Sequence, residues 1–291
     1  MKLTSADLFT LAKTAKKAAQ EAGHFIAQAA KKTVATEFKP AGSSPASQVV
    51  TEVDRHAQEI ILEVLRPTLG AYQLGLLTEE SPDDHSRFER DYFWCVDPLD
   101  GTLSFTQTIP GYAVSIALVS KLGVPQIGVV FDPVKAILYH AVKGQGAFID
   151  GQPWVKTSKK TNLLTCLCDP SFQHHPTYAA TLSALEQVVH EMGFSGFDVI
   201  VNAGAVMNAV SVLEQAPACY FKLPKPQEGG GSLWDFAATA CIFAEVGSVA
   251  SDISGNPIKL NNKDSTFMNH HGVLYASDQA LAKSLIKHLP V

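Results

Sequence analysis

Between Tyr92 and Gly151 the chain carries five short apolar runs, each cut off by turn chemistry, and this spacing constrains the fold more than any other feature. Tyr92–Val96 opens the series. Tyr112–Ser120 ends at Leu122-Gly123, Gln126–Phe131 at Asp132-Pro133, Ala136–Val142 at Gly144, and Ala147–Ile149 at the hairpin pair Asp150-Gly151. Strands packed this closely along the chain predict a mostly antiparallel sheet. The pattern changes after residue 160. Strand-like stretches at 163–168, 197–201, 218–223 and 272–276 alternate with helical ones at 176–192, 204–215 and 278–288, and a further helix starts near Asp235.

Ahead of the sheet, Leu8, Leu11, Ala15, Ala19, Ala22, Phe25, Ile26 and Ala29 recur at helical spacing, with a cap expected at Thr4 or Ser5. Residues 37–48 read as a loop rich in Pro, Gly and Ser, and Asp54–Leu65 as a second helix stopped by Pro67. Leu74–Leu77 is a short apolar run, and residues 82–91 read as polar and exposed. The fold class is therefore mixed α/β (α+β), with helices packed on sheets. A soft boundary near 155–160 divides an N-terminal α+β part (1–157), holding the large sheet, from a C-terminal α/β part (158–291).

The chain has 291 residues, 46% of them hydrophobic and 18% charged, which is ordinary for a globular protein. Its formal charge of −5 carries no basic footprint, so nucleic acid is not the expected partner. The five cysteines are odd in number and form no Cys-x-x-Cys pair, which predicts reduced, buried thiols. Lysines interrupt the first thirty residues, and no apolar run approaches the ~20 residues of a membrane span. A cytoplasmic protein with no membrane partner is expected.

The first run ends in Trp94-Cys95-Val96-Asp97-Pro98-Leu99-Asp100-Gly101-Thr102, which leaves two carboxylates three residues apart after an apolar strand. Such groups are costly away from water unless something neutralises them. Pro98 suggests a tight turn that lets both acids face one point, and Gly101 permits close backbone approach. Asp54, Glu79 with Glu80, and Asp235 also follow apolar runs, Asp235 where a helix N-cap belongs. Oxygen ligands with no neighbouring His or Cys favour Mg²⁺ over zinc. Thr102 adds a hydroxyl, and a helix starting after Gly101 would offer backbone N–H groups to a phosphate. Together these are the parts of metal-assisted phosphate-ester hydrolysis.

Leu77-Thr78-Glu79-Glu80, Asp97-Pro98-Leu99-Asp100-Gly101-Thr102 and Trp234-Asp235-Phe236-Ala237-Ala238 resemble, in order and separation, the three signatures of the inositol monophosphatase family. Val50–Asp54, Ala113–Ile116 and Lys143–Phe148 fit further family segments, so the resemblance covers nearly the whole chain. It implies a layered αβαβα sandwich of the sugar phosphatase type and a Mg²⁺-dependent, commonly lithium-sensitive phosphomonoesterase. Two or three Mg²⁺ ions are implied, with Mn²⁺ as a substitute, and so is a homodimer. Carried over, Glu79, Asp97, Asp100, Asp235 and the Leu99 carbonyl are metal ligands, and Gly101 and Thr102 hold the phosphate. Glu79 and Thr102 orient the attacking water, with help from Asp54. Glu228, seven residues before Asp235, is the candidate contact to sugar hydroxyls. The expected substrate is a small hydroxylated phosphate ester, inositol monophosphate first. Leu103-Ser104-Phe105 departs from the usual patterns of both the inositol and the nucleotide branch, and Lys222 and Lys225 are untypical of the simple inositol enzymes. A 3′(2′),5′-bisphosphate nucleotidase is thus the alternative, and a regulatory or interaction protein on the same fold is a third reading.

Overall fold

The computed structural model describes residues 2–31, 36–38, 49–156, 161–201 and 203–290. Helix α1 (Ser5–Ala29) starts at a capping box: Asp7 N–H donates to the Thr4 side chain, and Thr4 N–H donates to Asp7. Strands β1 (Thr36–Phe38) and β2 (Val49–Thr51) pair antiparallel. Residues 37 and 38, read as loop from the sequence, therefore belong to a strand, and 39–48 lie outside the described residues. Helix α2 (Glu52–Ala71) runs through Pro67 instead of stopping there. Proline removes its own N–H and crowds the carbonyl one turn before it, a cost opposed by the apolar face of Ile61 and Leu65, which continues into buried Thr68. The Thr68 hydroxyl donates to the Leu65 carbonyl and accepts from the Trp94 indole at 2.9 Å, which anchors that last turn to the sheet.

Strands β3 (Gly75–Thr78), β4 (Tyr92–Asp100), β5 (Ala113–Ser120), β6 (Pro125–Asp132), β7 (Ile137–Val142), β8 (Gly146–Ile149) and β9 (Gln152–Pro153) form a seven-stranded sheet in sequence order. Every neighbouring pair is antiparallel except β3 with β4. The segment 82–91 is not wholly exposed. Arg87 is buried, donating to Asp83 at 2.7 Å and to the Asn261 side chain and Asn262 carbonyl across the chain. A single short helix, α3 (Thr102–Thr106), follows β4.

The second half builds a five-stranded sheet ordered β11-β10-β12-β14-β13, from β10 (Leu163–Cys168), β11 (Gly196–Val201), β12 (Ala218–Lys222), β13 (Val249–Ser251) and β14 (Val273–Ala276). Its helices are α4 (Tyr178–Met192), α5 (Ala205–Glu214), α6 (Leu233–Glu245) and α7 (Gln279–His288).

The layers follow from which faces are apolar. One core joins α1 and α2 to one face of the large sheet, through Leu11, Ile26, Ile61, Trp94 and Phe131. A second lies between the sheets, where α5 and α6 meet Phe93, Cys95, Val130, Tyr139, Tyr220 and Tyr275. A third lies outside the smaller sheet under α4 and α7. This is the αβαβα order. Strands β4 and β5 are buried almost throughout because both faces of their sheet are covered. Helix α6, clasped between sheets, is apolar nearly all round and uses alanines to come close. At Gly128 on β6 a Cβ would collide with the Ala238 carbonyl of α6. All five cysteines are free and buried, as expected. Among the described residues no helix is long and apolar enough to cross a membrane.

Candidate active site

Asp97 and Asp100 share one side of the sheet because of a β-bulge, not a turn. Asp97 pairs with Ser115 and Asp100 with Ala113, so β4 takes three steps where β5 takes two. On a regular strand, positions three apart point to opposite faces; one extra residue brings them back to the same face. Pro98, which has no N–H to give a ladder, sits inside the bulge. The expected tight turn at Asp97–Asp100 is thus corrected, while its consequence, convergent carboxylates, stands. Gly101 then adopts φ +81°, and a Cβ there would lie 2.7 Å from the Gly111 carbonyl oxygen.

Other elements deliver the remaining acids. Glu79 follows β3, and its N–H donates to the Val96 carbonyl at 3.2 Å, setting it beside Asp97. Asp54 is buried in the first turn of α2, where its Oδ1 lies 3.0 Å from the Thr102 hydroxyl. That hydroxyl is also 3.1 Å from the Leu99 carbonyl. Asp235 lies in the first turn of α6, but as the third helical residue. Ser232 is the N-cap, and its N–H donates to Asp235 Oδ2 at 2.9 Å. The reading of Asp235 as N-cap therefore falls three residues too late in the chain: the polar Ser232 is the cap, and Asp235 completes a capping box with it.

Carboxylate oxygens of Asp97, Asp100 and Asp235 all lie within 4.8 Å of one another. Burial is the first cause that pushes all three pKa values up. Repulsion from Glu79, Asp100 and Asp235 adds to it at Asp97. Asp100 is repelled by Asp235 but relieved by the N–H of Val206, 2.8 Å from its Oδ2. The Ala205 N–H reaches its Oδ1 at 3.2 Å, so Asp100 faces the first turn of α5. Gly204 makes this possible, since a Cβ there would collide with Asp100.

Three desolvated, mutually repelling hard-oxygen groups fit a divalent cation such as Mg²⁺. Glu228 is exposed on the segment between β12 and α6, outside this cluster. Asp169 was missed by the sequence reading. It follows β10 as the other acids follow their strands, and it pairs with Lys222 at 3.0 Å. The strand-then-acid pattern was the signal that could have found it.

A five-layer sandwich with clustered acids at strand and helix ends defines a layered α/β protein whose acids could hold a cation through oxygen. The chain belongs to the inositol monophosphatase family, whose pattern matches residues 7–290. It is 30% identical over 243 residues to the Nus factor SuhB of Escherichia coli (strain K12), covering 82% of this chain and 84% of that one. Its fold matches the inositol monophosphatase from Anabaena (Nostoc) sp. PCC 7120 with a TM-score of 0.70 at 22% identity, covering 98% of each chain. It also matches SaIMPase-II with inositol monophosphate bound, with a TM-score of 0.67 at 22% identity, covering 96% of this chain and 93% of that one.

Proposed function

We propose that the chain is a Mg²⁺-dependent phosphomonoesterase of small hydroxylated phosphate esters, with inositol monophosphate the first candidate. The observation that carries this reading is the convergence of Asp97, Asp100 and Asp235 from remote parts of the chain. Glu79, Asp97, Asp100, Asp235 and the Leu99 carbonyl would hold two or three Mg²⁺ ions, or Mn²⁺ in their place. Bound divalent cations supply Lewis acidity at the phosphoryl and leaving oxygens and lower the pKa of water.

The rest falls to the protein. The Thr102 hydroxyl has one proton, and Asp54 and the Leu99 carbonyl both stand ready to accept it. The Thr102 oxygen is then left as an acceptor that orients water, together with Glu79. Gly101 and Thr102 hold the phosphate, with Gly101 keeping the backbone close. Glu228 would have to fold inward to meet a sugar hydroxyl, since it is exposed.

Phosphate release from inositol 1-phosphate, measured with Mg²⁺, with EDTA and with Li⁺, tests the reading. Mg²⁺-dependent turnover supports it; no turnover with any divalent cation overturns it. The formal charge of −5 supports a small-molecule rather than a nucleic-acid partner. A cytoplasmic homodimer completes the proposal, and sedimentation tests the dimer. Lys222 and Lys225 favour a second reading, a bisphosphate nucleotidase. The name Nus factor on the SuhB relatives favours a third, an interaction role, which stoichiometric capture of a macromolecular partner would support.

A further inference from the structure

Helix α5 begins without a cap of its own. Its N-cap is Gly204, which has no side chain to accept from the first turn. Asp100 does so from strand β4: Ala205 N–H reaches its Oδ1 at 3.2 Å and Val206 N–H its Oδ2 at 2.8 Å. Gly204 N–H in turn donates to the Gly111 carbonyl at 2.8 Å, just ahead of β5. Both oxygens of Asp100 are thus oriented by one helix start, while the same carboxylate comes within 4.8 Å of Asp97 and Asp235. Where α5 begins therefore sets how Asp100 can offer a lone pair to a cation.

One turn into the helix stands Asn208, fully buried where the other buried residues of α5 are apolar. Its Nδ2 donates backward to the Ala203 carbonyl at 3.1 Å and outward to Asp169 Oδ1 at 3.3 Å. Its own Oδ1 has no hydrogen-bond partner among the described residues. An unsatisfied buried acceptor is costly, so an apolar side chain of this shape would suit the core better. What the amide contributes is its pair of donors, one to the segment that leads into α5 and one to Asp169.

Asp169 is itself fixed. It follows β10, and the neighbouring strand β12 holds it from both sides. The Tyr220 hydroxyl donates to Oδ1 at 3.0 Å, and Lys222 Nζ lies 3.0 Å from Oδ2. The carboxylate is a post on the smaller sheet, and Asn208 ties the start of α5 to it.

We infer that Asn208 and Asp169 are positioning residues for Asp100. They hold the start of α5 where its first two N–H groups aim the Asp100 carboxylate at the cation. They act through the helix and not on the ion. This rests on the acidic cluster being the cation site of the hydrolase proposed above.

The test is Mn²⁺ titration of the chelator-treated full chain, with melting under chelation recorded in parallel. Asn208→Leu removes both donors at nearly constant volume. We expect its Kd for Mn²⁺ to rise by roughly 10-fold, the order of loss when hydrogen bonding behind a metal ligand is removed. Val212→Ala is the control. It opens a cavity in the buried face one turn further along α5, so it should lower the melting temperature and leave the Kd unchanged. A second measurement uses wild type alone. In NMR spectra of the isotope-labelled chain, the Asn208 side-chain amide should shift together with the Ala205 and Val206 amides as Mg²⁺ is added, with one midpoint.

A Kd that is unchanged in folded Asn208→Leu, or raised as much by Val212→Ala, overturns the inference and leaves the proposed function standing. So does an Asn208 amide that stays still while Mg²⁺ binds, whether or not the variants fold. A wild-type chain that binds neither Mg²⁺ nor Mn²⁺ overturns both.

Discussion

Asp97 lies between Asp100, Asp235 and Glu79 in a setting closed to water, and its pKa is raised first by that burial and then by their charges. A carboxyl whose folded pKa exceeds its ordinary value of 3.8 keeps its proton longer when folded than when unfolded. Its contribution to stability is complete below that value and is lost as pH rises through the folded pKa. Chelated Asp97→Asn should therefore melt higher than chelated wild type at pH 7, with the gap closing toward pH 4, by about 2–4 °C per kcal/mol. Asparagine still accepts from the Leu99 N–H that reaches Asp97 Oδ1 at 3.0 Å, so the bulge survives. Scanning calorimetry across pH checks this; a gap that stays flat with pH would contradict the burial argument. The same variant should lose about 100-fold or more of its Mg²⁺-dependent phosphate release, since a neutral amide is a poor ligand for a hard cation. Thr102→Val should lower kcat by about 10–100-fold with a smaller effect on KM, because it removes the hydroxyl shared by Asp54 and Leu99 and little volume. Single-substrate kinetics separates the two parameters.

Helix α6 places Asp235, and the surface against which it rests is set by a glycine far along the chain. Gly128 lets the Ala238 carbonyl touch β6, so Gly128→Ala should push α6 off the sheet and cost about 1–3 kcal/mol. Because Asp235 moves with the helix, Mn²⁺ affinity measured by titration should fall as well, although residue 128 ligates nothing. Unchanged affinity in a destabilised variant would mean that the first turn of α6 is held by its capping box alone. At this scale much was legible in the sequence. The strands of the large sheet, α1 with its Thr4 cap and the helix–strand alternation after residue 160 fall close to their expected positions, because turn residues and apolar periodicity mark each end locally. What escaped depended on tertiary contacts. Pro67 is tolerated because Thr68 bonds to Trp94. Arg87 is buried because Asn261 and Asn262 come from the other end of the chain to meet it. The bulge at Asp97–Asp100 shows only in the pairing with β5. Asp97, Asp100 and Asp235 were legible by type and position; the distance at which they converge, and the Asp169–Lys222 pair, were not.

Across the whole molecule the two halves share an interior. The core between the sheets takes Phe93, Cys95, Val130 and Tyr139 from the first half, and Val206, Val210, Tyr220, Phe236 and Tyr275 from the second. Neither half can cover that surface alone, and exposing a continuous apolar sheet face favours association over folding. Residues 1–157 expressed by themselves should therefore aggregate or bind hydrophobic dye. The intact chain should unfold in one cooperative step despite its 291 residues. The candidate cation site spans the same seam, since Asp97 and Asp100 come from one half and Asp235 from the other. An ion that binds only when the seam is closed stabilises the entire structure by about 2.7 kcal/mol at 100 times its Kd. Saturating Mg²⁺ should then raise the single melting transition by roughly 5 °C without splitting it. If it instead moved one of two separate transitions, the halves would be melting independently, and the acids would not be acting as a bridge between them.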